Sequence, residues 1–160
     1  MHTHKSRQVI LDKNKHIKTV VNKIGSIDAT FRFFKMEIIA GEDCMQTQVR
    51  ESGCVFGFDF SRVYWNSRLH TEHERLVRLM SRADVLCDMT GGVGPFALPA
   101  GKKGCLVYTN DLNPDSYKVL CYWRCTRTGH LKITVSSAVP VIQSSHSFSE
   151  WCRAWWPTSC

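Results

Sequence analysis

A glycine-rich segment between two apolar runs is the part of this sequence best suited to holding a small ligand. The first run ends in Asp88, Gly91-Gly92-Val93-Gly94 follows, and the second run ends in Asp111, 23 residues beyond Asp88. Glycines have no Cβ, so their backbone can approach a ligand closely, and an acid at this interval can accept both hydroxyls of a ribose. We therefore predict that a nucleoside cofactor binds at Asp88, Gly91, Gly92, Gly94 and Asp111, with a simple tight turn as the alternative.

The order of the glycines indicates which cofactor this is. Dinucleotide sites carry the pattern Gly-x-Gly-x-x-Gly, whereas this chain has Gly-Gly-Val-Gly-Pro-Phe from Gly91 to Phe96. That order fits a loop around the methionine part of S-adenosylmethionine (SAM). The sequence therefore predicts SAM as the cofactor.

The segments around the loop predict an α/β fold. Apolar runs at residues 83–88 and 105–111 are typical of strands, and Pro95 and Pro114 suit the first turns of the helices that follow them. A strand, a glycine loop, a helix, a strand and an acid make half of a nucleotide-binding unit. We expect the opening half of a Rossmann-like domain.

The first seventy residues are β-rich, because β-branched and aromatic residues recur there with partial alternation. Four strands are predicted, at residues 16–21, 31–39, 45–50 and 54–60. Gly25 and Gly41 predict turns, and residues 51–53 predict the tip of a hairpin. This range is therefore a small β-rich or α+β module.

A helix is predicted from Thr71 to Met80. Thr71 can act as its N-cap with Glu74 three residues later, which is the capping-box spacing. Leu76, Leu79 and Met80 are expected to face the core.

Composition excludes several classes of protein. Hydrophobic residues make up 43% of the 160 residues and charged residues 22%, which excludes wholesale disorder. No run approaches eighteen apolar residues, so we expect no membrane span. The eight cysteines do not have the spacing of a disulfide framework, and the amino-terminal residues lack the apolar core of a secretory signal. Both observations favour reduced thiols in an intracellular protein.

Basic residues are concentrated at the start of the chain. Residues 1–35 hold eight Lys or Arg against two Asp, a net charge of +6, whereas residues 36–120 carry −2 and residues 121–160 carry +3. Lysines and arginines that neutralise phosphates release counterions, so a nucleic acid is a natural partner. A solvated basic face is the alternative.

The last forty residues have a different composition. Residues 121–160 hold four of the eight cysteines and four of the five tryptophans. We predict three segments: a module at residues 1–70, a Rossmann-like half with two parallel strands at residues 71–120, and a divergent, poorly ordered tail. Such a tail is typical of an alternative exon or a shifted reading frame. Its Cys121, Cys125, His130 and Cys152 could bind zinc, but their spacing is irregular and we predict no metal site.

Four ordered blocks of the chain resemble the archaeal and eukaryotic tRNA guanine-37 N1-methyltransferases. The blocks are Met36–Asp43, Phe58–Glu72, Asp88–Ala100 and Asn110–Ser116. The resemblance extends over roughly residues 9–120. It implies a class I SAM-dependent methyltransferase fold and methylation of N1 of the guanine 3′ of the anticodon.

The resemblance also implies roles for individual residues. Glu72 matches the proposed general base, and Arg32 matches, more loosely, the arginine that steadies the guanine oxygen. Tyr64 and Arg68 match positions that line the guanine and cofactor pocket. His73, Asp111 and Leu112 match cofactor contacts, with Asp111 at the ribose.

The chain departs from this family downstream of the matching blocks. It has neither the second half of the methyltransferase sheet nor the family's Asn-Pro-Pro segment. We therefore expect a truncated form that is weakly active or inactive. The alternatives are a fragment that binds RNA or SAM without turnover and a non-functional splice or frameshift product.

The expected partner is tRNA, through its anticodon stem-loop. We expect a monomer that does not associate with membranes. The expected compartments are the cytoplasm, the nucleus and the mitochondrial matrix, since the eukaryotic members of the family serve both cytosolic and mitochondrial tRNA.

Overall fold

The structure, a computed structural model, describes residues 9–27, 30–126 and 133–136. Its strands are β1 (Thr19–Ile27), β2 (Phe34–Gly41), β3 (Gln46–Glu51), β4 (Cys54–Asp59), β5 (Val85–Asp88), β6 (Leu106–Asn110) and β7 (Ile133–Ser136). Its longer helices are α1 (His70–Leu79), α2 (Ala97–Lys103) and α3 (Pro114–Thr126), and a short 3₁₀ helix spans Ser67–Leu69. The predicted α/β fold class is confirmed.

The first two strands form an antiparallel pair, β1 with β2. Both lie a few residues later in the chain than their predicted ranges. The prediction of a turn at Gly25 is wrong, because Gly25 lies within β1, at a shift of register, with φ of 73°. A glycine at a positive φ inside a strand pattern is typical of a bulge.

The predicted hairpin at residues 45–60 is confirmed as β3 and β4. Glu51 pairs with Cys54 in an antiparallel register, which leaves a two-residue tip. Ser52 and Gly53 have φ of 48° and 70°, as a type I′ turn requires. This turn matches the twist of the two strands, so the hairpin is locally consistent.

Three parallel strands form the second sheet, in the order β5, β6, β7. The expectation of only two parallel strands is wrong. Helix α3 continues to Thr126, and β7 then pairs with β6 from Ile133 to Ser136. In the part of the chain that the structure describes, β5 pairs on one side only, and its Val85 is 60% exposed.

One hydrophobic core joins the β3–β4 hairpin to the parallel sheet. The hairpin and the loop after it contribute Phe56, Phe58, Val63 and Trp65, and the α/β half contributes Val93, Ala97, Leu98, Ala100, Cys105, Val107, Leu120 and Ile133. The ring centroids of Phe56 and Trp65 lie 5.2 Å apart. The hairpin therefore packs as part of the same body as the glycine loop.

Helix α1 begins one residue earlier than predicted, and its predicted capping box is absent. Thr71 lies inside the helix, and no side chain caps its start. Asn66 instead caps the preceding 3₁₀ turn, accepting a hydrogen bond from the Arg68 N–H. Leu79 is 72% exposed, contrary to prediction, whereas Met80 packs against the core as expected.

None of the helices in the described ranges is long and apolar enough to cross a membrane.

Candidate cofactor and substrate site

The glycine loop connects β5 to α2 and lies against the end of β6. The Gly91 N–H donates to the Asn110 carbonyl oxygen over 2.8 Å, and the Gly94 N–H donates to the Gly91 carbonyl oxygen over 2.8 Å. Gly91 is buried, and a Cβ there would collide with Thr109 Oγ1. The loop is therefore a tight backbone turn held against the neighbouring strand.

The Asp111 carboxylate is oriented by the loop and by the start of α3. Its Oδ2 accepts the Gly92 N–H over 2.7 Å, and its Oδ1 accepts the Asn113 N–H over 2.8 Å. Burial raises the pKa of Asp111, while these two N–H donors act to lower it. Because each carboxylate oxygen has a second lone pair, the oriented group can still accept two ribose hydroxyls.

Space for a ligand is open beside this carboxylate. Gly92 has φ of 55°, and nothing lies within 4 Å of the position that a Cβ would take there. The loop thus presents bare backbone to open space next to Asp111.

Asp88 is a partly buried acid, and one of its carboxylate oxygens is buried without a hydrogen-bond partner in the described ranges. Its Oδ1 accepts the Thr90 N–H over 3.4 Å, whereas its Oδ2 and Thr109 Oγ1 have no hydrogen-bond partner in the described ranges. Burial raises the pKa of Asp88 to about 6, with a smaller contribution from the Asp111 charge. A buried unpartnered carboxylate oxygen suits a cationic group on a ligand.

Gly91→Ala is expected to destabilise the loop and weaken cofactor binding, because the new methyl group must displace Thr109 and the β5–α2 turn. Overpacking of this kind typically costs about 1–3 kcal/mol. Urea unfolding and calorimetric titration with SAM measure the two effects. Gly57→Ala is the matched control, since its Cβ would meet only Gln48 Cγ at 3.8 Å. Equal behaviour of the two variants would contradict the prediction.

Glu72 lies in the first turn of α1 and is held by Arg75. The Arg75 Nε and Nη2 atoms each lie 2.7 Å from one of the two Glu72 carboxylate oxygens. These hydrogen bonds lower the pKa of Glu72. The two side chains are about half exposed.

His73 points into the interior, although helix patterning alone would place a histidine in solvent. Its Nδ1 lies 2.6 Å from Glu51 Oε1, and its ring meets the Phe96 ring edge-on with centroids 4.9 Å apart. Both side chains of the His73–Glu51 pair are less than 10% exposed. His73 therefore connects the hairpin to the end of the glycine loop.

The remaining predicted site residues lie on the surface. Arg32 has φ of 65°, a left-handed conformation uncommon outside glycine. Tyr64 and Leu112 are 38% and 43% exposed, and Arg68 is exposed as well.

The structure brings Asp88, the glycines and Asp111 together. No hydrogen bond or ion pair within the described residues links Arg32, Tyr64, Arg68 or Glu72 to that cluster.

A cleft of about 370 Å³ lies where the loop before β2 approaches the start of α3, and Arg32 is not among the residues that line it. It is lined by Thr30, Phe31, Phe33, Ser61, Arg62, Asn113, Pro114 and Asp115. Its walls combine aromatic rings with polar side chains. Such a mixture suits a flat ligand with hydrogen-bonding edges.

Asn113 organises this junction and was not among the predicted site residues. It is buried, its Nδ2 donates to the Arg62 carbonyl oxygen over 2.7 Å, and its Oδ1 accepts the Asp115 N–H over 3.0 Å. Asn113 thus caps α3 and ties the loop after β4 to it. An Asn before Pro114 at the start of a predicted helix is the signal that could have identified it.

Metal binding was not predicted, and the described residues contain no group of three metal-ligating side chains. Of the cysteines and the histidine considered for zinc, His130 and Cys152 lie outside the described residues, as does the side chain of Cys125.

Comparisons with known proteins agree with this geometry. The sequence model of the TRM5/TYW2 methyltransferase domain matches residues 47–133. A protein from Batrachochytrium dendrobatidis named tRNA (guanine(37)-N(1))-methyltransferase is 61% identical over 114 residues, which are 71% of this chain and 24% of that protein. The chain therefore spans about a quarter of this relative's length.

Two solved structures share the fold. The complex of aTrm5 with tRNALeu superposes with a TM-score of 0.76 at 26% identity, over 85% of this chain and 40% of that one. TYW2 from M. jannaschii in complex with AdoMet gives a TM-score of 0.57 at 26% identity, over 66% and 48% of the two chains. The predicted family resemblance is confirmed.

Proposed function

We propose, because this chain belongs to the TRM5/TYW2 methyltransferase domain family, that it is part of an enzyme that methylates N1 of guanine 37 in tRNA with SAM. The observation that carries the proposal is the joint placement of Asp88, the glycine loop and Asp111 at one edge of the parallel sheet. Ligands of open α/β sheets bind at the carboxyl ends of the strands. The relatives and neighbours that carry tRNA or AdoMet in their names support the same assignment.

The residues of this site fit SAM. When bound, SAM supplies a methyl group on a positively charged sulfur. The unpartnered Oδ2 of Asp88 would receive the ammonium of its methionine part, and Asp111 would accept the ribose hydroxyls. The bare backbone at Gly92 leaves room for the chain between them, and the half-exposed Leu112 would cover the adenine.

The proposed catalytic groups belong to α1 and to the loop before β2. Neutral guanine carries a proton on N1, so a base must accept that proton as the nitrogen lone pair forms its bond to the methyl carbon. Glu72 would be this base. Arg32 would donate hydrogen bonds to O6, where negative charge develops, and its left-handed backbone is a strain of the kind that collects at functional sites.

The target base would enter the cleft lined by the loop that contains Arg32. A guanine in an anticodon loop can be flipped out at modest free-energy cost, because it is not in a long duplex. Phe31 and Phe33 would stack on the base. By the family resemblance, Tyr64 and Arg68 would hold it towards the cofactor. The proposed partner is the anticodon stem-loop of tRNA, and the proposed state of the protein is a monomer.

Calorimetric titration of the chain with SAM tests the cofactor half of this proposal. Micromolar binding is expected. Methyl transfer is then tested on unmodified tRNA after the carboxyl-terminal half of a relative is appended in place of residues 137–160. Methylated guanine 37 supports the proposal, and appended protein that binds SAM but transfers no methyl group refutes it.

A second candidate is a fragment that binds RNA or SAM without turnover. The parallel sheet of three strands in the described ranges is the observation that favours it. SAM binding by the chain, with no methyl transfer even after the carboxyl-terminal half is appended, is the result expected for such a fragment.

A further inference from the structure

Arg75 occupies both oxygens of the residue proposed as the general base. Its Nε lies 2.7 Å from Glu72 Oε2, and its Nη2 lies 2.7 Å from Glu72 Oε1. This is the bidentate geometry in which a guanidinium binds a carboxylate most strongly. A base held in this way is a poor acceptor for a proton on a substrate.

The electrostatics point in the same direction. The hydrogen bonds from Arg75 are the largest cause of the lowered pKa of Glu72, and the charges of Arg75 and His73 add to the effect. A base with a lowered pKa has a weaker driving force for proton abstraction. Glu72 therefore needs a change of partner before it can act.

We propose that Arg75 is a positioning residue that holds Glu72 in the free protein and exchanges it for a phosphate of the bound RNA. The proposal rests on the proposed function, because it takes Glu72 as the base. This pair is about half exposed, so solvent screens it and a phosphate can reach Arg75 and compete with the carboxylate. The planar guanidinium can bind a phosphate with the same parallel N–H donors that bind a carboxylate.

The same helix contains a second Arg–Glu ion pair, which does not include the proposed general base Glu72. Arg78 Nη2 lies 2.7 Å from Glu74 Oε1, four residues earlier. Arg78 and Arg75 carry the same charge on the same helix, so Arg78→Ala controls for the general loss of a positive charge. A special role for Arg75 requires the two variants to differ.

The experiment follows the Glu72 carboxyl carbon by NMR in the full chain labelled at glutamate, with Glu72→Gln used for assignment. In free protein, Arg75→Ala is expected to raise the pKa of Glu72 and Arg78→Ala to leave it unchanged. A synthetic anticodon stem-loop RNA with an unmodified guanine 3′ of the anticodon should then raise the pKa of Glu72. The RNA-induced rise in the pKa of Glu72 should be larger in the unaltered chain and in Arg78→Ala than in Arg75→Ala, because Arg75→Ala has no Arg75–Glu72 contact for the RNA to break.

RNA binding supplies a second measurement, independent of the titration. Loss of a phosphate contact should reduce the slope of log affinity against log salt by about 0.7–0.9 in Arg75→Ala. Equal RNA-induced rises in the unaltered chain and Arg75→Ala, an unchanged salt slope, or no RNA binding at all would each overturn the proposal. The exchange can fail while the completed protein still binds SAM and transfers the methyl group, and that pair of measurements distinguishes failure of the exchange from failure of the proposed function.

Discussion

Replacing Asp111 by Ala is expected to weaken SAM binding by roughly 100-fold or more, because two hydrogen bonds to a charged carboxylate are lost. The loop suffers as well. The Gly92 and Asn113 N–H groups lose their acceptor, and the backbone that should face the cofactor is no longer held in place. Calorimetric titration of the variant with SAM measures the loss.

Asp115→Ala is the matched control for this experiment. Asp115 lies in the first turn of α3, four residues after Asp111, and its carboxylate pairs with Arg62 and Lys118 at the surface. Its removal should leave SAM affinity within a few-fold. If both variants bind SAM equally well, Asp111 does not hold the ribose.

Asp88→Asn is expected to stabilise the free protein while it weakens cofactor binding. The pKa of Asp88 is about 6 in the folded chain against an ordinary value of 3.8. The folded state therefore holds the proton more tightly than the unfolded state, and at pH 7 the buried charge costs about 3 kcal/mol. An uncharged Asn removes this penalty.

The sign of the pH dependence follows from the same shift. Because the folded pKa is raised, the destabilising effect of Asp88 is fully present above about pH 6 and disappears as the pH falls towards 4. Urea unfolding at pH 7 and at about pH 4.5 should show a gain in stability for Asp88→Asn that is roughly three times larger at the higher pH. A variant that is less stable at pH 7 would contradict this account.

The affinity for SAM should rise with pH, whereas the stability of the free protein falls as Asp88 loses its proton. A protonated Asp88 cannot pair with an ammonium group, so SAM affinity in the unaltered chain should fall below about pH 6. Asp88→Asn should bind SAM weakly at every pH and lose this dependence. The acid is thus retained at a cost in stability, as is usual for groups that serve a ligand.

The parts of the site that were predictable are those that residue type and spacing along the chain indicate. The glycines were predicted because they lack a Cβ, and the structure shows that a Cβ at Gly91 would collide with Thr109 Oγ1. Asp111 follows from its interval after Asp88, and the two-residue turn at Ser52-Gly53 from the short spacing between two strand-like runs.

What could not be predicted depends on distant partners. His73 is buried because Glu51, 22 residues earlier, and Phe96 surround it, and no helical periodicity includes them. Ile133, Thr134 and Val135 are good strand formers, but a run of four residues is too short to predict a strand by itself, and β7 is defined by its pairing with β6. The Glu72–Arg75 contact was visible as an i, i+3 spacing, but spacing alone does not show that both carboxylate oxygens are occupied.

The single core shared by the hairpin and the α/β half has a consequence for synthesis on the ribosome. Phe56 belongs to the hairpin, and Leu120, a member of the same core, is made 64 residues later. At about 5–20 residues per second, the ribosome needs roughly 3–13 s to span that interval. For those seconds the aromatic face of a finished hairpin lacks part of the core that later covers it, which makes it a site where a chaperone could hold the nascent chain.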